Sequence, residues 1–214
     1  MRHEFWQQRW QDGRIGFHLS VVNPWLIKYL PEFDLPANSK IFVPLCGKSL
    51  DLLYLVEKGF APTGVEIAKQ AVEEFFAHEK IQPKAESIEN FVKYTHDSLT
   101  ILHGDFFELT PNLLGKTDFV FDRASLIAMP GDMREEYVEK MFHIIGNCKQ
   151  MLLVTMEYPQ DVMDGPPFSV SSNKVKKSYA DKFKIELLDE KDLTIEPKFA
   201  DMEYALERVW KLTG

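Results

Sequence analysis

Short apolar runs alternate along the chain with stretches whose apolar residues recur every three or four positions, the pattern of strands followed by amphipathic helices. The first pair is Ile41-Phe42-Val43, broken by Pro44 and Gly47 and followed by Leu50, Leu52, Leu53 and Leu55. It predicts a strand, a tight turn and a helix that stops at Gly59. Pro62 to Ile67 then forms a second short strand, and Ala68 to His78 a helix with Ala71, Val72, Phe75 and Phe76 on one stripe. Residues 79–98 are polar and mixed and read as an irregular connection. Beyond them Leu99 to His103 is a third strand, Thr117 to Arg123 a fourth and Met151 to Met156 a fifth, the last buried on both faces. Met133, Tyr137 and Met141 recur at helical spacing in a helix from Met133 to Ile145, with Asp132 and Glu135 as a capping box and Gly146 as the stop. A helix over Lys174 to Phe183 precedes two alternating segments, Phe183 to Leu188 and Met202 to Leu212, which read as a terminal antiparallel pair.

Five strands alternating with helices, plus a terminal pair, predict an α/β fold. Its sheet is doubly wound, mostly parallel, seven-stranded and Rossmann-like, with an antiparallel C-terminal edge. At 214 residues the chain requires only one core, so residues 1–214 are expected to form a single domain. Residues 40–214 supply the sheet, and residues 1–39 a helical lid or cap that carries Phe5, Trp6, Trp10, Phe17 and Trp25. Trp6 and Trp10 share a helix face, and Gly13 and Gly16 bracket a turn that presents Phe17 and His18. Two readings stay open: a static cover on the sheet edge, or a lid whose rings face a flat ligand.

In such a sheet, ligands bind outside the carboxyl ends of the strands. Gly47 lies in the first strand-to-helix turn, and Glu66 stands nineteen residues later at the end of the second strand, where a carboxylate can accept hydrogen bonds from ribose hydroxyls. The three-glycine dinucleotide fingerprint is absent, and Phe42 stands where a phosphate-cradling loop has its upstream glycine. A nucleoside without a pyrophosphate, such as an adenosine carrying an amino acid, is therefore better served. A nicotinamide-dependent oxidoreductase, whose ribose Glu66 would serve equally, and a nucleoside-binding module without turnover are the alternatives. At the end of the third strand Asp105 and Phe106 form a candidate adenine clamp, the carboxylate accepting the exocyclic amine and the ring flanking the base. The plain alternatives are a solvated turn aspartate and, for Gly47, an ordinary turn.

The formal charge of −8, from 25 Lys+Arg against 33 Asp+Glu, disfavours nucleic-acid backbones and anionic membranes as partners. The N-terminus has no apolar stretch of the secretory kind, and no segment approaches the roughly 18 apolar residues of a membrane span, so a cytoplasmic location is expected. Cys46 and Cys148 are isolated, the six histidines lack ligand spacing, and no Gly-x-Ser-x-Gly elbow is present. With no metal site expected, the chemistry should reside in the bound nucleoside.

Several stretches, taken together, resemble the thiopurine S-methyltransferases, bacterial members in particular, over nearly the whole chain. They are Trp6-Gln7-Gln8-Arg9-Trp10 with Gly16-Phe17-His18, Pro44-Leu45-Cys46-Gly47-Lys48, Gly64-Val65-Glu66-Ile67, Asp122-Arg123 and Gly165-Pro166-Pro167-Phe168. The resemblance implies a class I methyltransferase fold, S-adenosylmethionine as cofactor, and a small aromatic or heterocyclic thiol as acceptor, with selenium or tellurium species as further candidates. It places Trp10, Leu45, Glu66 and Arg123 at cofactor contacts, Asp105 and Phe106 beside adenine, and Phe17 at a substrate or lid contact. Arg123 would hold the cofactor carboxylate, and in a catalytic role it would stabilise the acceptor anion. Family members can carry an arginine near the substrate in the C-terminal part, where this chain reads Glu196-Pro197-Lys198-Phe199. Transfer from a sulfonium is an in-line displacement that needs alignment and exclusion of water rather than a strong base, and a monomer suffices for it.

Overall fold

Alternation within the strands decides the layering. In β1 (Lys40–Val43), Ile41 and Val43 join the core on one face of the sheet while Phe42 joins the core on the other. In β6 (Phe119–Arg123), Phe119 and Phe121 are likewise divided from Val120. Strands buried on both faces must be apolar at every position, which is why these runs are continuous in the sequence. The computed structural model describes residues 3–214; Met1 and Arg2, the start of the expected cap, lie outside the described residues.

One face is covered by α2 (Pro24–Tyr29), α3 (Asp51–Glu57) and α4 (Lys69–His78), through Leu26, Leu52, Leu55, Val72 and Phe75. The other is covered by α5 (Pro111–Leu114), α6 (Arg134–Ile145) and α7 (Ser172–Tyr179), through Leu114, Tyr137, Met141, Val175 and Tyr179. The short α1 (His3–Gln11) lies against α4. Parallel pairing joins β5 (Leu99–His103), β2 (Ala61–Glu66), β1, β6 and β7 (Gln150–Glu157). The chain runs outward from β1 on one side and then crosses to β6 on the other, so the topological switch point lies between these two strands. No helix among the described residues is long and apolar enough to cross a membrane.

Several sequence expectations are corrected. With β3 (Lys84–Ile88), β4 (Phe91–His96), β8 (Lys184–Asp192) and β9 (Leu206–Thr213), the sheet has nine strands, not seven, in the order β3-β4-β5-β2-β1-β6-β7-β9-β8. The extra pair is an antiparallel hairpin, β3 (Lys84–Ile88) and β4 (Phe91–His96), within the stretch read as an irregular connection. Its turn is Glu89-Asn90, with Glu89 at φ 51°, and contains no glycine to announce it. The C-terminal pair is antiparallel as expected with shifted bounds: β8, Lys184–Asp192, runs longer than expected, and β9, Leu206–Thr213, starts later. The capping box fails as well: α6 starts at Arg134 after Met133, with no side-chain cap.

Candidate active site

Three strand ends meet at the switch point. After β1 the backbone turns through two left-handed residues, Leu45 at φ 44° and Gly47 at φ 54°. A Cβ at Gly47 would stand 3.2 Å from Cζ2 of Trp10, so this position takes glycine both for its backbone and for the indole packed on it.

At the end of β2, Glu66 is buried, and its Oε2 accepts from the Gly47 amide at 2.8 Å while Oε1 accepts from the Ala68 amide at 2.7 Å. These bonds fix the carboxylate in place, and a carboxylate has lone pairs to spare for a ligand. Burial raises the pKa of Glu66, with the amides of Ala68, Gly47 and Ile67 pulling the other way. Across the switch point Arg123 ends β6, and its Nη1 donates to the carbonyl of Phe17 at 2.5 Å. Burial lowers the Arg123 pKa, opposed by Asp51 and Glu207. Behind it Asp122 is fully buried and accepts from the Tyr137 hydroxyl at 2.8 Å and the Leu126 amide at 3.3 Å. Burial pushes the Asp122 carboxyl up to about 6.

The N-terminal segment crosses these strand ends. Trp10 is buried with Ala68 and Ala71, and the ring of Phe17 meets those of Trp6 and Trp10 edge-on, each at 5.7 Å. The Asn23 amide donates to Asp51 Oδ1 at 2.7 Å, and the Ser49 hydroxyl donates to Oδ2 at 2.7 Å. Farther on, the Trp25 indole donates to Glu207 Oε2 at 2.6 Å. The segment is thus tied down at Phe17, Asn23 and Trp25.

Beneath it lies a cavity of about 570 Å³, within the range of small-molecule sites. Its walls are Trp6, Arg9, Trp10, Phe17 and Trp25 from the segment, Leu45, Glu66, Arg123, Thr155 and Met156 from the strand ends, and Glu207, Lys198 and Phe199 from the C-terminal part. A smaller pocket adjoins it, lined by His18, Gly47, Lys48, Ser49 and Asp51, and Trp10, Phe17, Leu45 and Arg123 border both. Burial lowers the His18 pKa, and Lys48 and Arg123 push the same way.

Of the residues singled out from sequence, Trp10, Phe17, Leu45, Glu66 and Arg123 surround the large cavity, and Gly47 lines the smaller one. Asp105 and Phe106 line neither. Phe106 is buried in the core, 4.8 Å from the ring of Tyr137 and 6.5 Å from that of Phe42, and Asp105 accepts from the Phe107 amide at 2.9 Å. Asp51, Glu207, Arg9 and Lys198 were not singled out as ligand contacts. Asp51 follows the glycine turn closely enough to be found there; Glu207 and Lys198 carry no local signal.

This strand order, with a glycine turn after the central strand and a carboxylate at the end of the next, defines a class: the chain has the fold of the S-adenosylmethionine-dependent methyltransferases. Magnesium protoporphyrin IX methyltransferase from Synechocystis, solved with bound SAH, matches at TM-score 0.65 and 14% identity over 99% of this chain and 98% of that one. A 1,6-didemethyltoxoflavin-N1-methyltransferase from Burkholderia thailandensis matches at TM-score 0.62 and 13% identity, over 99% of this chain and 87% of its own. Those likenesses show the fold. Sequence narrows the class, because the family described as Thiopurine S-methyltransferase (TPMT) matches residues 1–214. A thiopurine S-methyltransferase of Shewanella woodyi is 44% identical over 99% of this chain and 98% of its own length, and one of Pseudomonas fluorescens is 39% identical over 100% and 97%. The chain belongs to the thiopurine S-methyltransferase family.

Proposed function

We propose that this S-adenosylmethionine-dependent methyltransferase methylates the sulfur of small aromatic or heterocyclic thiols, with selenium or tellurium species as further acceptors. The observation that carries this reading is one aromatic-walled cavity that holds both the pinned carboxylate of Glu66 and the guanidinium of Arg123. The site suits S-adenosylmethionine: Gly47 lets the Trp10 indole pack closely on the turn after β1, and Glu66 offers acceptors suited to ribose hydroxyls. Bound there, the cofactor supplies the electrophilic methyl group of a sulfonium.

The remaining work falls to side chains of the chain itself. Arg123 borders both pockets, so it can hold the cofactor carboxylate on one side and offset the charge of an acceptor anion on the other; we assign the carboxylate as its first role. Trp10 and Leu45 pack beside the cofactor and Phe17 beside the acceptor. Asp105 stands close to Glu66 in the sheet, since the Gly104 amide donates to the Glu66 carbonyl at 2.9 Å, and it serves the adenine end. Phe106 supports that end from the core. An acidic thiol loses its proton to solvent before it binds, so no general base is required, and the aromatic cover excludes water from the displacement. In this reading residues 1–214 act as one domain and as a cytoplasmic monomer, without nucleic-acid or membrane partners.

Side-by-side turnover of a heterocyclic thiol, a primary amine and an oligonucleotide, with labelled cofactor, tests the assignment. The thiol should be methylated far faster than the other two. Robust methylation of the amine or the oligonucleotide with the thiol inert overturns it.

A further inference from the structure

Beyond their last paired residues β1 and β6 part, and the switch point opens between them. Their parallel ladder joins Ile41 to Phe119 and Phe42 to Val120, and each strand then runs into a turn that borders both pockets, at Leu45 and at Ala124. Both residues have left-handed backbones, Leu45 at φ 44° and Ala124 at φ 61°, and neither is glycine. A side chain in that region costs free energy, so the conformation persists only where the surroundings dictate it.

Buried polar contacts behind the turns dictate it here. Asp122, held by the Tyr137 hydroxyl, accepts from the Leu126 amide at 3.3 Å and so closes the chain over Arg123, Ala124 and Ser125. Ser125 has no exposed surface, and its hydroxyl donates to the Pro44 carbonyl at 2.8 Å. A buried hydroxyl needs an acceptor, and the Arg123 carbonyl stands within reach at 3.4 Å. The shorter bond goes instead to a residue 81 positions away in sequence. Its acceptor immediately precedes Leu45 and its donor immediately follows Ala124, so it ties one left-handed turn to the other. Ser125 borders neither pocket, whereas Arg123 and Ala124 border both. Any effect of Ser125 on a ligand therefore passes through its neighbours.

We propose that Ser125 is a positioning residue for methyl transfer. By tying the Arg123–Ala124 turn to the Pro44–Leu45 turn it holds the two sides of the cofactor site in register, a role that rests on the reading that the cofactor lies against Leu45, Glu66 and Arg123. Without the tie, either turn relaxes toward a right-handed backbone, which swings Leu45 or Arg123 away from the cofactor.

Calorimetric titration of the full chain with S-adenosylhomocysteine, well below the unfolding temperature, tests this. Ser125→Ala should bind about tenfold more weakly, as expected for one lost buried hydrogen bond. Ile144→Val removes a buried methylene from α6, borders neither pocket and serves as the control for lost stability. Its affinity should stay unchanged even though its melting temperature falls. The loss from Ser125→Ala should shrink to about threefold when Ala124→Gly is also present, because glycine keeps a left-handed turn without the tie. Unchanged affinity in Ser125→Ala overturns the proposal, as does an equal loss in Ile144→Val or a loss of the same size with and without Ala124→Gly. Glu66→Ala separates the tie from the cofactor reading beneath it. If that variant binds weakly while Ser125→Ala binds normally, the tie falls and the cofactor site stands; if both bind normally, both fall.

Discussion

A carboxylate that accepts hydrogen bonds from two main-chain amides does not swing to suit a ligand; the ligand must suit it. Glu66 is in that position, bridging the Gly47 turn and the start of α4. Glu66→Ala should weaken S-adenosylmethionine binding by about 2–4 kcal/mol, the worth of two charge-assisted hydrogen bonds. Calorimetry on the folded variant measures this, and an unchanged affinity would remove Glu66 from the site. Glu66 was legible in the sequence because its relation to Gly47 is local, nineteen residues within one strand-helix-strand unit. Asp51 with Asn23 and Trp25 with Glu207 were not, because their partners lie 28 and 182 residues apart. Phe106 misled for another reason. Its place after a strand end suggested a ligand contact, but the chain enters a short 3-10 turn at Phe106–Glu108, and the ring packs with Phe42 and Tyr137.

The elements that build the central sheet announce themselves because burial on both faces demands unbroken apolar runs. The β3–β4 hairpin does not, since most of its residues are exposed or half-buried and its composition stays mixed. The N-terminal segment is a different case. Its aromatic content was visible, but its polar fastenings at Phe17, Asn23 and Trp25 reach groups distant in sequence, and Trp10 is the one buried side chain among residues 4–22. An element with one buried anchor and a few hydrogen bonds over a cavity opens at lower free-energy cost than the sheet beneath it. Amides of residues 3–22 should therefore exchange faster in the ligand-free protein and slow when S-adenosylhomocysteine binds. Identical exchange in the two states would make the segment a static cover and exclude a lid.

At the scale of the whole molecule, Asp122 links the site to global stability. Its carboxyl has an ordinary value of 3.8 and is raised to about 6 in the folded state by burial. Between those two values the native protein binds a proton that the unfolded chain has released. The contribution of Asp122 to stability is therefore fully present below the lower value and falls as pH rises through the upper one, by about 3 kcal/mol in all. Asp122→Asn, which cannot ionise, should gain on the unaltered protein by more than about 1 kcal/mol between roughly pH 5 and pH 7.5. Urea unfolding at the two pH values checks this; a gap that does not change with pH would show that the carboxyl titrates elsewhere. A second consequence of the architecture concerns crowding. An open sheet offers its outermost strands to any sheet that drifts alongside, and here those strands are β3, Lys84-Ala-Glu-Ser-Ile88, and β8, which runs from Lys184 to Asp192. Both are studded with lysines and carboxylates that would be stripped of water on pairing, and an irregularity between Leu187 and Asp189 breaks the straight ladder a newcomer would need. The fold that opens its strand ends to ligands thus lines its outer edges with charge.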